Sequence, residues 1–272
     1  IHFAVTDHKK RHIANSSFVF DLDGTICFKG QPLSPAIAGA LDFCRADGHD
    51  VIVASARPIR DVLPVLPRHL HTIPMVGGNG TFVARDGRIA EVTPLDEPTW
   101  REIRRMIEEY RLTYLIDGRW DYAYTGSEDH PISRNVDPGR LAARVPLDRL
   151  GEIVKVVLFP ESREREEILF ERLRKLPVKL YRHHQEEIID ICPQGTDKWQ
   201  GLRKLGVEAG TFVAFGNDAN DVPMFAHAKE SVCVGRHEQL RSIATVCVEP
   251  DEREIAEVIA GLSAKYARNQ ER

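Results

Sequence analysis

Short, uniformly apolar runs alternate with helical patterns at both ends of the 272-residue chain, while the middle keeps a different rhythm. Towards the N-terminus "SSFVF", "DVIVAS" and "TIPMV" read as strands, and towards the C-terminus so do "TFVAF", "SVCVG" and "TVCVE". None alternates as a half-wet strand would. Continuous apolar strands separated by helices imply a parallel sheet covered on both faces. The stretch "LSPAIAGALDFCRADG" predicts a helix with Ser34 as N-cap, Pro35 at its first position and Gly48 closing it. Its apolar face is Ile37, Leu41 and Cys44.

The middle alternates more. "PTWREIRRMIEEY" predicts an amphipathic helix opened by a Thr99/Glu102 capping box, with Ile103, Met106, Ile107 and Tyr110 on one face. "DYAYTGS", "EIVKVVLF", "VKLYRH" and "EIIDIC" suit a sheet with one wet face, and "REREEILFERLRKLP" a second helix stopped by Pro177. The expected division is a tail over 1–14, an α/β core over 15–83 and 187–272, and an inserted α+β unit of about 100 residues over 84–186.

In an open α/β sheet, ligands gather beyond the carboxyl ends of the strands. There the polar residues stand out. "FVF" runs into Asp21 and Asp23, "VIVA" into Ser55, and "TFVAF" into "GNDAND" at 216–221; Lys198 sits in the first turn of a further helix. Two adjacent carboxylates repel and raise each other's pKa. With Asn217, Asp218 and Asp221 they form a hard-oxygen set suited to Mg2+, which would offset the repulsion. A cation in a first helical turn opposes the helix dipole, so Lys198 calls for an anion. An ionised Asp beside phosphate can act as a nucleophile, and a second can protonate the leaving alcohol. Ser55 and Lys198 would then hold the phosphoryl oxygens.

Composition narrows the field. Apolar residues make up 42% and charged ones 29%, with net charge −4 and no basic patch, so neither nucleic acid nor membrane is an expected partner. The five cysteines form no C-x-x-C pair, and the first residues lack an apolar signal segment; both point to a reducing, cytoplasmic setting. His183-His184 and Arg68-x-x-His71 lack zinc-type spacing. Tyr122, Tyr124, Asp129, His130, Arg134 and Asn135 read as a polar loop of the inserted unit, and Cys27 as packing.

Asp-Leu-Asp-Gly-Thr after an apolar strand, then Ser55, Lys198 and Gly-Asn-Asp-Ala-Asn-Asp, resembles the haloacid dehalogenase (HAD) superfamily of phosphohydrolases. The late insertion resembles its Cof-type members. The resemblance implies a Rossmann-like α/β core with a parallel sheet and helices on both faces, an inserted α+β cap that selects substrate, and Mg2+. It implies Asp21 as nucleophile and Asp23 as general acid/base. The metal would be held by Asp21, the Asp23 carbonyl and the second residue of the fourth motif, here Asn217 in place of the usual Asp, with Asp218 able to share that role. Thr25, Ser55, Ala56, Arg57, Lys198, Asn220 and Asn79 would bind phosphate or substrate, and Asp221 would anchor the metal's waters or Lys198. Ala56 replaces the usual Gly of the second motif, and "GGNG" at 77–80 resembles the Asn-Gly loop after the third core strand. The implied activity is hydrolysis of a small phosphorylated metabolite, above all a sugar phosphate. A phosphomannomutase-like phosphomutase and a phosphorylatable signalling module are the alternatives.

Overall fold

A computed structural model describes residues 16–183 and 187–268; the expected N-terminal tail and His184 lie outside the described residues. The chain opens with β1 (Ser17–Phe20), α1 (Pro35–Ala46), β2 (Asp50–Ala54), α2 (Ile59–Val62), β3 (Met75–Gly77), β4 (Phe82–Arg85) and β5 (Arg88–Val92). The inserted unit follows as α3 (Glu97–Tyr110), β6 (Thr113–Asp117), β7 (Tyr122–Tyr124), β8 (Lys155–Phe159), α4 (Arg163–Leu173), β9 (Val178–His183) and β10 (Ile188–Pro193). It closes with α5 (Lys198–Lys204), β11 (Phe212–Gly216), α6 (Val222–Phe225), β12 (Glu230–Val234), α7 (Glu238–Ile243), β13 (Val246–Val248) and α8 (Glu252–Arg268).

Two sheets result. The larger has order β13-β12-β11-β1-β2-β3-β4-β5 and the smaller β7-β6-β8-β10-β9. From β13 to β3 every pairing is parallel, whereas β4 and β5 return antiparallel as an edge hairpin. Phe18, Val19 and Phe20 of central β1 are fully buried, as strands covered on both faces must be. One face packs against α1 and α8 through Ile37, Leu41, Ile255 and Ile259. The other packs against α5, α6 and α7 through Trp199, Leu202, Met224 and Leu240. The smaller sheet is wholly antiparallel, and α3 and α4 bury Ile103, Met106, Leu169 and Leu173 on one of its faces.

Two expectations can be set beside the described elements. The larger sheet continues through Val92 and the smaller one through Pro193, so breaks at 83/84 and 186/187 fall inside β4 and just before β10. Sheet membership follows pairing partners, which the local apolar pattern does not encode. Nor does a Thr99 capping box open α3. The N-cap lies three residues earlier, at Asp96, which accepts the Thr99 amide at 2.8 Å. Ser34 caps α1 as expected, and four of the five cysteines are buried, Cys247 being exposed.

Candidate active site

The carboxyl ends of β1, β2, β3 and β11 converge, and with them the polar groups that follow each strand. Asp21 leaves β1 with its amide still donating to Phe215 O of β11 at 2.9 Å, so the sheet itself sets its backbone. Its carboxylate is buried. Lys198 Nζ donates to Oδ1 at 2.6 Å and Thr25 Oγ1 to Oδ2 at 2.8 Å. Lys198 is fully buried and donates also to Asp221 Oδ1 at 2.7 Å. Burial, then the neighbouring Asp221 charge, push the Asp21 carboxyl up to about 7 against the pull of Lys198. Burial disfavours the lysine's charge, but the two carboxylates outweigh it and hold its pKa above the ordinary value.

Asp221 is therefore not an open ligand. Its second oxygen accepts the amides of Asn217 at 2.9 Å and Asp218 at 3.1 Å, closing the "GNDAND" turn. Asp218 is exposed, accepts the Ala219 amide at 2.7 Å, and lies 3.7 Å from His237. Asn217 is the member of this motif that faces Asp21, its Oδ1 lying 3.2 Å from the Thr25 hydroxyl. Its amide packs against Gly24. A Cβ there would stand 2.1 Å from Asn217 Nδ2, and φ is +80°, so both space and backbone demand glycine. Among the described residues no three His, Cys, Asp or Glu side chains converge as a metal cage. Of the expected hard-oxygen set, Asp21, Asp23, Asn217 and Asp218 line one cavity, while Asp221 is engaged by Lys198 and the Asp23 carboxylate is held by an arginine.

That arginine is Arg57, which pairs with Asp23 and lines the same cavity. Nη2 and Nε meet the Asp23 carboxylate at 2.5 and 2.7 Å, and Nη1 donates to Asp61 O at 3.1 Å. Burial works against the guanidinium charge, but Asp23 more than restores it. Ser55, buried, uses its Oγ to accept the Arg57 amide at 3.0 Å. Asn79, at φ +55° in the loop after β3, accepts Asn220 Nδ2 at 3.1 Å, and its own buried Nδ2 has no partner among the described residues. Gly80 of the same loop lets Asp197 approach, since a Cβ would lie 2.1 Å from Asp197 O. Asp197 in turn caps α5, through the Gln200 amide at 2.7 Å, and so places Lys198.

A cavity of about 320 Å³ lies above these groups, with Asp21, Asp23, Ala56, Asn217 and Asn220 at its floor. The inserted unit supplies much of the rest of its wall, alongside Arg57, Pro58, Asp61 and Asp218 of the core. Leu115, Val157 and Ile188 are apolar; Lys155, Asp190 and His183 are polar. Lys155 Nζ is buried between Asp190 Oδ2 at 2.9 Å and Ala56 O at 2.8 Å, while Asp190 Oδ1 is buried without a hydrogen-bond partner among the described residues. Burial penalises both charges, yet their pairing holds Lys155 above and Asp190 below its ordinary pKa.

These wall residues of the inserted unit, with Asp61 and Asp117, were missed in the sequence. A lysine on one strand and an aspartate on its neighbour meet only once β8 and β10 pair. Of the polar loop, Asn135 lines the cavity, whereas Tyr124 and His130 line a separate outer pocket. Cys27 is buried and its thiol pushed up to about 11, first by burial and then by Asp23, which suits packing.

A haloacid dehalogenase-like hydrolase family model matches residues 18–259. The 5-amino-6-(5-phospho-D-ribitylamino)uracil phosphatase YitU of Bacillus subtilis is 25% identical over 230 residues, covering 79% of this chain and 84% of the relative. Among solved structures, a haloacid dehalogenase-like hydrolase from Bacteroides thetaiotaomicron superposes with TM-score 0.75 at 18% identity, over 91% of this chain and 99% of that one. The HAD subclass IIB sugar phosphatase BT4131 does so with TM-score 0.74 at 18% identity, over 91% and 98%. The chain belongs to the haloacid dehalogenase-like hydrolases and is an enzyme of that family.

Proposed function

We propose that the chain is a Mg2+-dependent phosphomonoester hydrolase acting on a small hydroxylated metabolite, through an aspartyl-phosphate on Asp21 with Asp23 as general acid/base. One observation carries this reading. Asp21, with both oxygens oriented by Lys198 and Thr25, lies on the floor of a cavity that also presents Asp23. The phosphatase and sugar-phosphatase names of the relatives support the reading, and the inserted unit then serves as the cap.

The donor set fits a hard cation. Asp21 and Asn217 offer oxygens beside one another, and two buried carboxylates against one lysine leave negative charge to neutralise. Bound there, Mg2+ would supply charge stabilisation for the phosphoryl group. In the first step an Asp21 oxygen attacks phosphorus and the ester P–O bond breaks, the leaving alkoxide taking a proton from Asp23. In the second, Asp23 takes a proton from water, whose oxygen attacks phosphorus and releases phosphate from Asp21. Protonation removes the Asp23 charge and weakens its paired bonds to Arg57, which lets the carboxyl turn towards the leaving group. Lys198, Ser55 and Asn79 stand ready to donate to the phosphoryl oxygens. The Asp190 oxygen that has no hydrogen-bond partner among the described residues is an acceptor suited to a substrate hydroxyl, which supports a polyol or sugar phosphate.

The test is phosphate release with Mg2+ across sugar phosphates, nucleotides and pyridoxal phosphate, with Asp21→Asn as control. Preference for hydroxylated esters, lost in the variant, is expected. No release from any of them by folded protein refutes the reading, and conversion of glucose 1-phosphate to 6-phosphate without free phosphate reassigns it to a mutase.

A further inference from the structure

We infer that Arg60 and Asp61 form a seat that fixes the cap over Asp23, making them positioning residues for leaving-group selection; this rests on the phosphohydrolase reading above. Arg60, in α2 just beyond Ser55, is among the largest fully buried side chains of the chain. Burying a guanidinium is costly unless its donors are used. Nε donates to Asp61 Oδ1 at 3.1 Å, Nη1 to Trp120 O at 2.8 Å and Nη2 to Asp117 Oδ1 at 2.6 Å. The guanidinium also lies 4.7 Å over the Tyr122 ring. Asp117, Trp120 and Tyr122 all belong to the inserted unit.

Asp61 makes a second attachment. Its Oδ1 accepts the Asp137 amide at 2.9 Å, and Asp137 folds its own loop by accepting the amides of Leu141 at 2.7 Å and Ala142 at 3.1 Å. Lys155 adds a third bond on the same core segment, at Ala56 O. The core end of this seat is continuous with the catalytic loop, because Arg57 bonds Asp61 O with one nitrogen and Asp23 with two others. A line of hydrogen bonds thus runs from Asp23 through Arg57, Asp61 and Arg60 to Asp117 at the end of β6. Packing alone would be served as well by an apolar side chain; the forked, directional contacts fix one orientation.

The experiment compares wild type with Arg60→Met and with Arg60→Met/Asp117→Leu, which removes both charges and keeps the protein testable should the single variant fail to fold. kcat/KM is measured for the preferred phosphomonoester and for acetyl phosphate, which has almost no leaving group for a cap to grip. Amide exchange is followed at Asp137, Leu141 and Ala142. Expected is a loss of about tenfold to a hundredfold for the large substrate, as misplacement by about 1 Å brings, with acetyl phosphate turnover within about threefold. Exchange at the three amides should rise by about tenfold while β1 and β11 keep their protection. Equal losses on both substrates, or unchanged exchange, overturn the seat. Should wild type hydrolyse no phosphomonoester, the phosphatase reading fails and the exchange data alone decide the seat.

Discussion

Replacing Asp21 by Asn should abolish turnover and, in metal-free buffer at alkaline pH, make the protein more stable. The reason lies in what the buried carboxylate costs. Burial and Asp221 raise its pKa from 3.8 to about 7, so the folded state keeps its proton well after the unfolded state has lost it. For a carboxyl raised in this way, the favourable contribution is complete below about pH 4 and is lost as pH climbs to about 7. The gap corresponds to about 4 kcal/mol, at about 1.36 kcal/mol per pH unit. That is a ceiling, because the amide forgoes its ion pair with Lys198. At about 2–4 °C per kcal/mol for a chain of this size, the variant should gain up to about 16 °C in Tm at pH 8 in EDTA. Near pH 4.5 most of the gain should be gone. Adding Mg2+ at pH 8 should raise the wild-type Tm and leave that of Asp21→Asn nearly unchanged. Thermal unfolding at both pH values, with and without Mg2+, measures all of this alongside phosphate release. A Tm difference independent of pH, or residual activity above a few per cent, would refute the reasoning.

Three further outcomes are expected. Asn217→Asp restores a charged oxygen beside Asp21 and should lower the Mg2+ concentration for half-maximal activity on the order of tenfold; an unchanged Mg2+ titration would exclude Asn217 as a ligand. Gly24→Ala forces a Cβ into the Asn217 amide at a positive φ, and should cut kcat about tenfold or more while lowering stability by about 1–3 kcal/mol, both read from kinetics and urea unfolding of one preparation. Asp190→Asn should raise KM several-fold for a polyol phosphate but leave acetyl phosphate kinetics within about twofold; a matching change on both substrates would remove Asp190 from hydroxyl recognition.

The local pattern alone determined most of the core. Three apolar residues leading into Asp21, "VIVA" leading into Ser55 and "FVAFG" leading into Asn217 mark buried parallel strands because a strand covered on both faces must be apolar along its whole length. Ser34, Pro35 and Gly48 likewise mark α1 by capping chemistry that acts within one turn. The nucleophile, Lys198 and the fourth motif were legible because each follows directly on such an element. What only the tertiary structure decided concerns partners distant in sequence. Arg57 grips Asp23, Asp221 is spent on Lys198, and Lys155 meets Asp190 under Ala56, each through pairings that no local window contains. The same holds for the seat of Arg60 on Asp117 and for the sheet assignments of β4, β5 and β10. Charge and hydrogen-bond direction act over a few ångströms of space, whereas periodicity and capping act over a few residues of chain.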